Sequence, residues 1–202
     1  MDVVKTYPEA TAYLNKIFDK FNTRFFADEL PQITITIQSS RKNFGHFIAH
    51  DEVWDTPLGK TSEINISAEH LGDPIDEVAG TLLHEMVHFF NFLHHVKDCN
   101  KNGHYHNAKF RDAASSHGLV AKYDKSSGWS ITSPSEELLE FISESQFTTM
   151  EVKRILPARS RGRTSSTRKY TCPRCGTSVR ATKKVNIGCL TCEQKMDCEE
   201  GE

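Results

Sequence analysis

Apolar positions change period along this chain, and each change marks an element. Over 8–26, Leu14, Ile17, Phe18, Phe21 and Phe25 recur at three and four residues, which places them on one helical face. Ile33-Thr34-Ile35-Thr36-Ile37 then alternates as a half-buried strand does. Phe47-Ile48-Ala49 predicts a short second strand, and Ser62-Glu63-Ile64-Asn65-Ile66-Ser67 a third over 63–67. Helical spacing returns in Ile75, Val78, Ala79, Leu82, Leu83 and Val87 and predicts a helix over 74–93. Asp73 is a favoured cap there, Pro74 suits the first helical position, and Asp76 and Glu77 suit the positive end of the dipole. Polar, glycine-containing 97–103 reads as a loop. A second helix opens at His106, with Phe110, Ala113 and Ala114 at helical spacing. The stretch 135–142 predicts a later helix with Ser133 or Ser135 as its cap. The expected fold is a small α+β core, a short sheet plus helices, without internal repeats.

The 74–93 helix carries His84-Glu85-Met86-Val87-His88. Histidines four apart share one helical face, which suits a zinc ion, and the adjacent glutamate can take a proton from water beside that ion. These residues point to a zinc-dependent peptidase, with Glu85 as general base. The plain alternative is two surface histidines with an ordinary glutamate. The apolar setting counts against it, because buried imidazoles need polar partners.

A catalytic zinc takes three protein ligands and leaves a place for water. His94, His95, His104, His106 and His117 follow within thirty residues. His95 lies seven residues beyond His88, roughly 10 Å along a continuing helix, too far to share the ion. His94 completes H-E-x-x-H-x-x-N-x-x-H, the metzincin pattern with Asn91 in the glycine position. Against it, Phe89-Phe90-Asn91-Phe92-Leu93 continues as apolar helix, and no Met-turn is evident. A histidine at the start of the following helix could instead face back toward the first pair.

HEMVH, a polar loop, then His106-Asn107-Ala108-Lys109-Phe110 resembles the SprT-like, or Spartan-type, zinc metalloproteases. Phe26-Ala27-Asp28-Glu29-Leu30-Pro31 and Phe44-Gly45-His46-Phe47 resemble that family's segments before and within its first strands, and the likeness covers 7–125. The family's third ligand lies in a segment of the form G-H-G-P-E-F. Aligned on the phenylalanine, that implies His106. Gly103-His104-Tyr105-His106 departs from the pattern, so His104 remains the alternative. The resemblance implies a zincin-like core, a catalytic zinc on His84, His88 and His106, and substrates that are proteins bound or crosslinked to DNA. An oxyanion donor is not selected; Tyr105 and His117 are candidates.

Charge divides the chain in a way its near-neutral total of −2 conceals. Residues 1–151 carry 13 Lys/Arg against 22 Asp/Glu, 152–184 carry 11 Lys/Arg and no acid, and 185–202 carry one Lys and five acids. The expected organisation is a SprT-like metalloprotease domain over 1–151, a basic flexible linker over 152–169, and a zinc ribbon with an acidic tail over 170–202. Arg159, Arg161, Arg163, Arg168, Lys169, Arg174, Arg180, Lys183 and Lys184 are the candidate nucleic-acid contacts, because cations displace counterions from phosphates. A merely solvating linker is the alternative. Cys172-Pro173-Arg174-Cys175 and Cys189-Leu190-Thr191-Cys192 form two knuckles whose thiolates can close a structural zinc site. Duplication of the motif argues against a redox pair. Cys99 is expected as a loop thiol and Cys198 as an inconsequential tail residue.

No apolar run approaches the ~20 residues needed to cross a bilayer, and Met1-Asp2-Val3-Val4-Lys5 lacks a secretory h-region. The expectation is a cytoplasmic, intracellular protein, with nucleoid or nuclear association left open. Two rivals stand beside a DNA-directed peptidase. One is a catalytically inactive zinc-containing DNA-binding or transcription-associated protein, which would not need Glu85. The other is a general peptidase, which would not need the basic block.

Overall fold

The computed structural model describes residues 3–40, 43–49, 53–57, 59–100, 103–155 and 167–199. Arg159, Arg161 and Arg163 lie outside the described residues. The chain divides into two compact units, 1–156 and 157–202. Val152 packs on the first core and the Arg154 N–H donates to the Ala68 carbonyl. The stretch 152–154 therefore belongs with the first unit rather than with a linker.

Helix α1 (Tyr7–Phe25) starts at a reciprocal cap, in which Thr6 accepts from the Glu9 N–H and Glu9 accepts from the Thr6 N–H. Its Leu14, Ile17, Phe18 and Phe21 are buried. Strands β1 (Thr34–Gln38) and β2 (Gly45–Ile48), a small hairpin of β3 (Trp54–Thr56) and β4 (Gly59–Thr61), and β5 (Glu63–Ser67) follow. The sheet order is β1-β5-β2, with β5 parallel to β1 and antiparallel to β2. All of β5 is buried, Ile64 and Ile66 in the core. Glu63 accepts from Thr36 Oγ1 at 2.7 Å and from the Trp54 indole at 2.7 Å, which clasps the hairpin onto the sheet.

Helix α2 (Ile75–Leu93) buries Val78, Ala79, Leu82, Leu83, Met86 and Val87. Its start differs from expectation. Pro74, extended at ψ 141, is the cap residue and its ring offers no acceptor, while the Asp73 carboxylate is bound to His70 Nδ1 at 2.6 Å. Next come β6 (Cys99–Asn100), β7 (Tyr105–His106), α3 (Ala108–Ser116), β8 (Leu119–Asp124) and β9 (Gly128–Pro134), the strands ordered β6-β7-β9-β8. His106 is thus in a strand and does not open α3. Asn107 caps that helix by accepting from the Lys109 N–H at 2.8 Å. Helix α4 (Glu136–Glu144) is capped by Ser135.

The second unit holds β10 (Arg168–Thr171), β11 (Ser178–Ala181), β12 (Gly188–Cys189), β13 (Gln194–Lys195) and β14 (Asp197–Glu199). One sheet runs β11-β10-β14, and β12 pairs with β13. Cys198 lies opposite Tyr170 in β14, so it is part of the sheet and no idle tail residue. Among the described residues no helix is long and apolar enough to cross a membrane.

Candidate metal centre and its cleft

One turn of α2 separates His84 from His88 and brings their Nε2 atoms to 3.2 Å. Strand β7 adds His106, whose Nε2 lies 3.2 Å from His84 Nε2 and 2.9 Å from His88 Nε2. A tetrahedral ion with bonds of about 2.05 Å separates its nitrogen ligands by about 3.3 Å. The ring surroundings aim these atoms inward. His88 Nδ1 meets Asp98 at 2.7 Å, and Asn91 Nδ2 donates to the same carboxylate oxygen at 3.0 Å. A proton held on His88 Nδ1 leaves Nε2 as a bare lone pair. His84 Nδ1 lies 2.9 Å from Thr132 Oγ1 on β9. The buried Phe110 ring lies against all three imidazoles, with centroid separations of 4.7, 4.5 and 4.6 Å to His84, His88 and His106.

His106 is held through its backbone. Its N–H donates to the Ser127 carbonyl at 3.0 Å, and it pairs with Gly128. Gly128 has φ +72, and a Cβ there would come within 2.1 Å of the His106 carbonyl oxygen, so only glycine fits this crossing. His106 Nδ1 is buried and has no hydrogen-bond partner among the described residues. Three lone pairs crowded at such distances repel one another, and a cation at their centre relieves this. The donor set therefore fits a metal.

Burial, then the neighbouring imidazoles, drives His84 well below the ordinary histidine range. Burial and His88 take His106 down to about 4. Both rings stay neutral near pH 7, as metal ligands must. Glu85, only 6% exposed, is pushed up to about 7 by burial, while His88 and a hydrogen bond from the Phe47 N–H oppose the rise. Gly45 of β2 lets that strand lie against α2; a Cβ there would meet Thr81 Cγ2 at 2.9 Å and Glu85 Cγ at 3.2 Å.

These groups floor a cleft of about 970 Å³ walled by β2 and by Ser130–Pro134 of β9. His104 lines the cleft, but the ring that joins His84 and His88 belongs to His106. His94 caps α2 and contacts Glu29 at 3.2 Å, away from the cluster. His95 follows it at φ 55. His117 stacks on Phe26, and the Tyr105 hydroxyl meets that of Tyr123 at 3.1 Å; neither lines the cleft as an oxyanion donor would. Cys99 lies in β6 and not in a loop. It lines the cleft, and burial and Asp98 push its thiol far up. Sequence reasoning missed Asp98, Thr132 and Gly128, whose spacing from the HEMVH run carries no local signal, and it used Phe110 for alignment without its role against the rings.

In the second unit the sulfurs of Cys172, Cys175, Cys189 and Cys192 all lie within 4.8 Å of one another. Hydrogen bonding to Thr177 lowers Cys175 to about 6, and donation to the Cys175 sulfur raises Cys192 to about 12. The cluster cannot carry several negative charges unless a cation offsets them, so these donors also fit a metal. Lys169 and Arg180 lie opposite each other across β10 and β11. Arg168 bonds the Thr182 carbonyl, while Arg174, Lys183 and Lys184 are exposed.

An α+β protein with three converging imidazoles on a helix and a neighbouring strand, and a separate four-cysteine cluster, is the class defined so far. Residues 14–126 match the model of the SprT-like family, and the chain belongs to that family, which covers zinc-dependent peptidase-like proteins. No curated protein and no solved structure matches the chain.

Proposed function

We propose that this chain is a zinc-dependent endopeptidase that cuts proteins bound or covalently crosslinked to DNA. The carrying observation is the convergence of His84, His88 and His106 beside buried Glu85 on the floor of an open cleft. Zinc, when bound, supplies a Lewis acid that acidifies water and polarises the scissile carbonyl. Glu85 takes the proton of the attacking water and passes it to the leaving amine. Its burial against β2 holds the carboxylate in place for both transfers. Asp98 and Thr132 keep the His88 and His84 rings turned toward the metal.

The choice of DNA-bound substrates rests on charge and on the family. The 11 cations of 152–184, with no acid among them, suit phosphates. Tethering the enzyme to DNA raises the local concentration of proteins on it, so loose cleavage specificity is tolerable. A catalytically inactive zinc-containing DNA-binding protein is the second reading. Glu85 counts against it, because a structural site has no use for a buried proton acceptor.

Glu85→Gln is the direct test: zinc content stays at the parent level and cleavage of a DNA-bound protein falls at least about a hundredfold. Cleavage at the parent rate would remove Glu85 from the chemistry. Deleting 157–202 weakens DNA binding and flattens its salt dependence while 1–156 stays folded; unchanged affinity would remove the tether.

A further inference from the structure

Two strands border the cleft, and each turns toward it an edge left unpaired among the described residues. In an antiparallel pair, a residue's N–H and C=O point together, toward the partner strand or away from it, and the direction alternates. The Ser67 N–H donates to the Phe44 carbonyl and Gly45 is paired with Ile66, so Gly45 and Phe47 of β2 point away from β5. A Cβ on Gly45 would lie 3.2 Å from Glu85 Cγ, which locates this edge at the proton-transfer group. On the other side the Ser135 N–H donates to the Gly118 carbonyl and Leu119 is paired with Pro134. Thr132 and Pro134 of β9 therefore point away from β8. Among the described residues, strand β7, which could have covered them, pairs with β9 only at Gly128. A proline at an outward position loses no ladder bond, which is where strands tolerate it.

The two edges border the same turn of α2. Gly45 closes on Thr81, and Pro134 lies against the neighbouring Gly80, where a Cβ would meet its Cγ at 3.4 Å. Both edges open onto the cleft that holds His84 and Glu85.

We propose that β9 is a second recognition edge, at which the Thr132 N–H and C=O and the Pro134 C=O bind the main chain of an extended substrate segment whose other side lies along β2. This rests on the peptidase function above and names how that site takes its substrate. The ligand is locally unfolded polypeptide read through its backbone, so side-chain preference is weak and folded segments are refused.

The test uses the full chain with zinc saturating and Glu85→Gln to prevent turnover. The probe is a fluorescein-labelled, unstructured twelve-residue peptide, and the readout is its Kd by fluorescence anisotropy. Thr132→Val removes the hydroxyl at His84 and keeps the edge N–H; Thr132→Pro removes both and keeps the β8 ladder. The expected result is binding about tenfold weaker in Thr132→Pro than in Thr132→Val, at equal zinc content and melting temperature. Equal Kd for the two overturns the β9 edge and leaves the peptidase function standing. Failure of the Glu85→Gln chain to bind the peptide at all overturns both. Should Thr132→Pro not fold, single N-methylation along a peptide cleaved by the parent decides the matter. Loss of cleavage from methyl groups at consecutive residues, whose N–H groups face opposite edges, supports the second edge, and loss at alternate residues alone overturns it.

Discussion

The imidazole cluster and the sulfur cluster of this chain are built on opposite principles. The imidazole cluster sits on a large core: α2 is packed on both sides, Phe110 lies against all three rings, and Asp98 and Thr132 each hold one ring from behind. Among the described residues the sulfur cluster has almost no core of its own. The buried apolar group there is Tyr170, Cys172, Cys189 and Met196, so two of its four members are themselves donors. A site that does chemistry needs its ligands placed before the metal arrives, and the surrounding fold supplies that. A site that holds a small unit together can let the metal supply the fold.

That contrast can be broken at three points. Cys172→Ser carries the largest expected effect. With one thiolate gone the second unit loses its folding energy outright, seen as collapse of amide dispersion for 167–199 with 1–156 unchanged. Retained dispersion there would show that the small unit folds without its metal. Asp98→Ala is graded instead of all-or-none: zinc affinity of the imidazole site falls about 10- to 100-fold, or about 1.4–2.7 kcal/mol, with the fold intact, measured by competition with a chromogenic chelator. Unfolding of the first unit by this change would erase the distinction. Thr132→Val is the mildest, because one neutral hydrogen bond contributes about 0.5–1.5 kcal/mol, and the same titration should shift by tenfold or less. A loss larger than that of Asp98→Ala would mean that His84, and not His88, is the ring most in need of support.

Much of the fold was legible because its signals are local. The spacing of Leu14, Ile17, Phe18 and Phe21 gave α1, and strict alternation gave β5. The helical face shared by His84 and His88 follows from period alone. The hairpin β3–β4 and the pair β6–β7 were missed because strands of two or three residues show no period. The cap at α2 was misjudged because the sequence shows that Asp73 could accept from the helix but not that His70 would occupy it. The third ligand lay between: helix geometry argued against His95 and His94, and an outside resemblance was needed to rank His106 above His104.

The sequence alone determined which atoms could bind metal, where the helix carrying two of them would run, and which segment would be cationic, since these depend on residue type and on periods of a few residues. Tertiary structure alone decided that His106 joins His84 and His88, that Asp98 and Thr132 stand behind the rings, and that Gly128 lets β7 cross β9 close enough to deliver the third imidazole. Those contacts join residues ten to forty-eight positions apart. Their partners are chosen by how buried surfaces pack, and no short window of sequence contains that information.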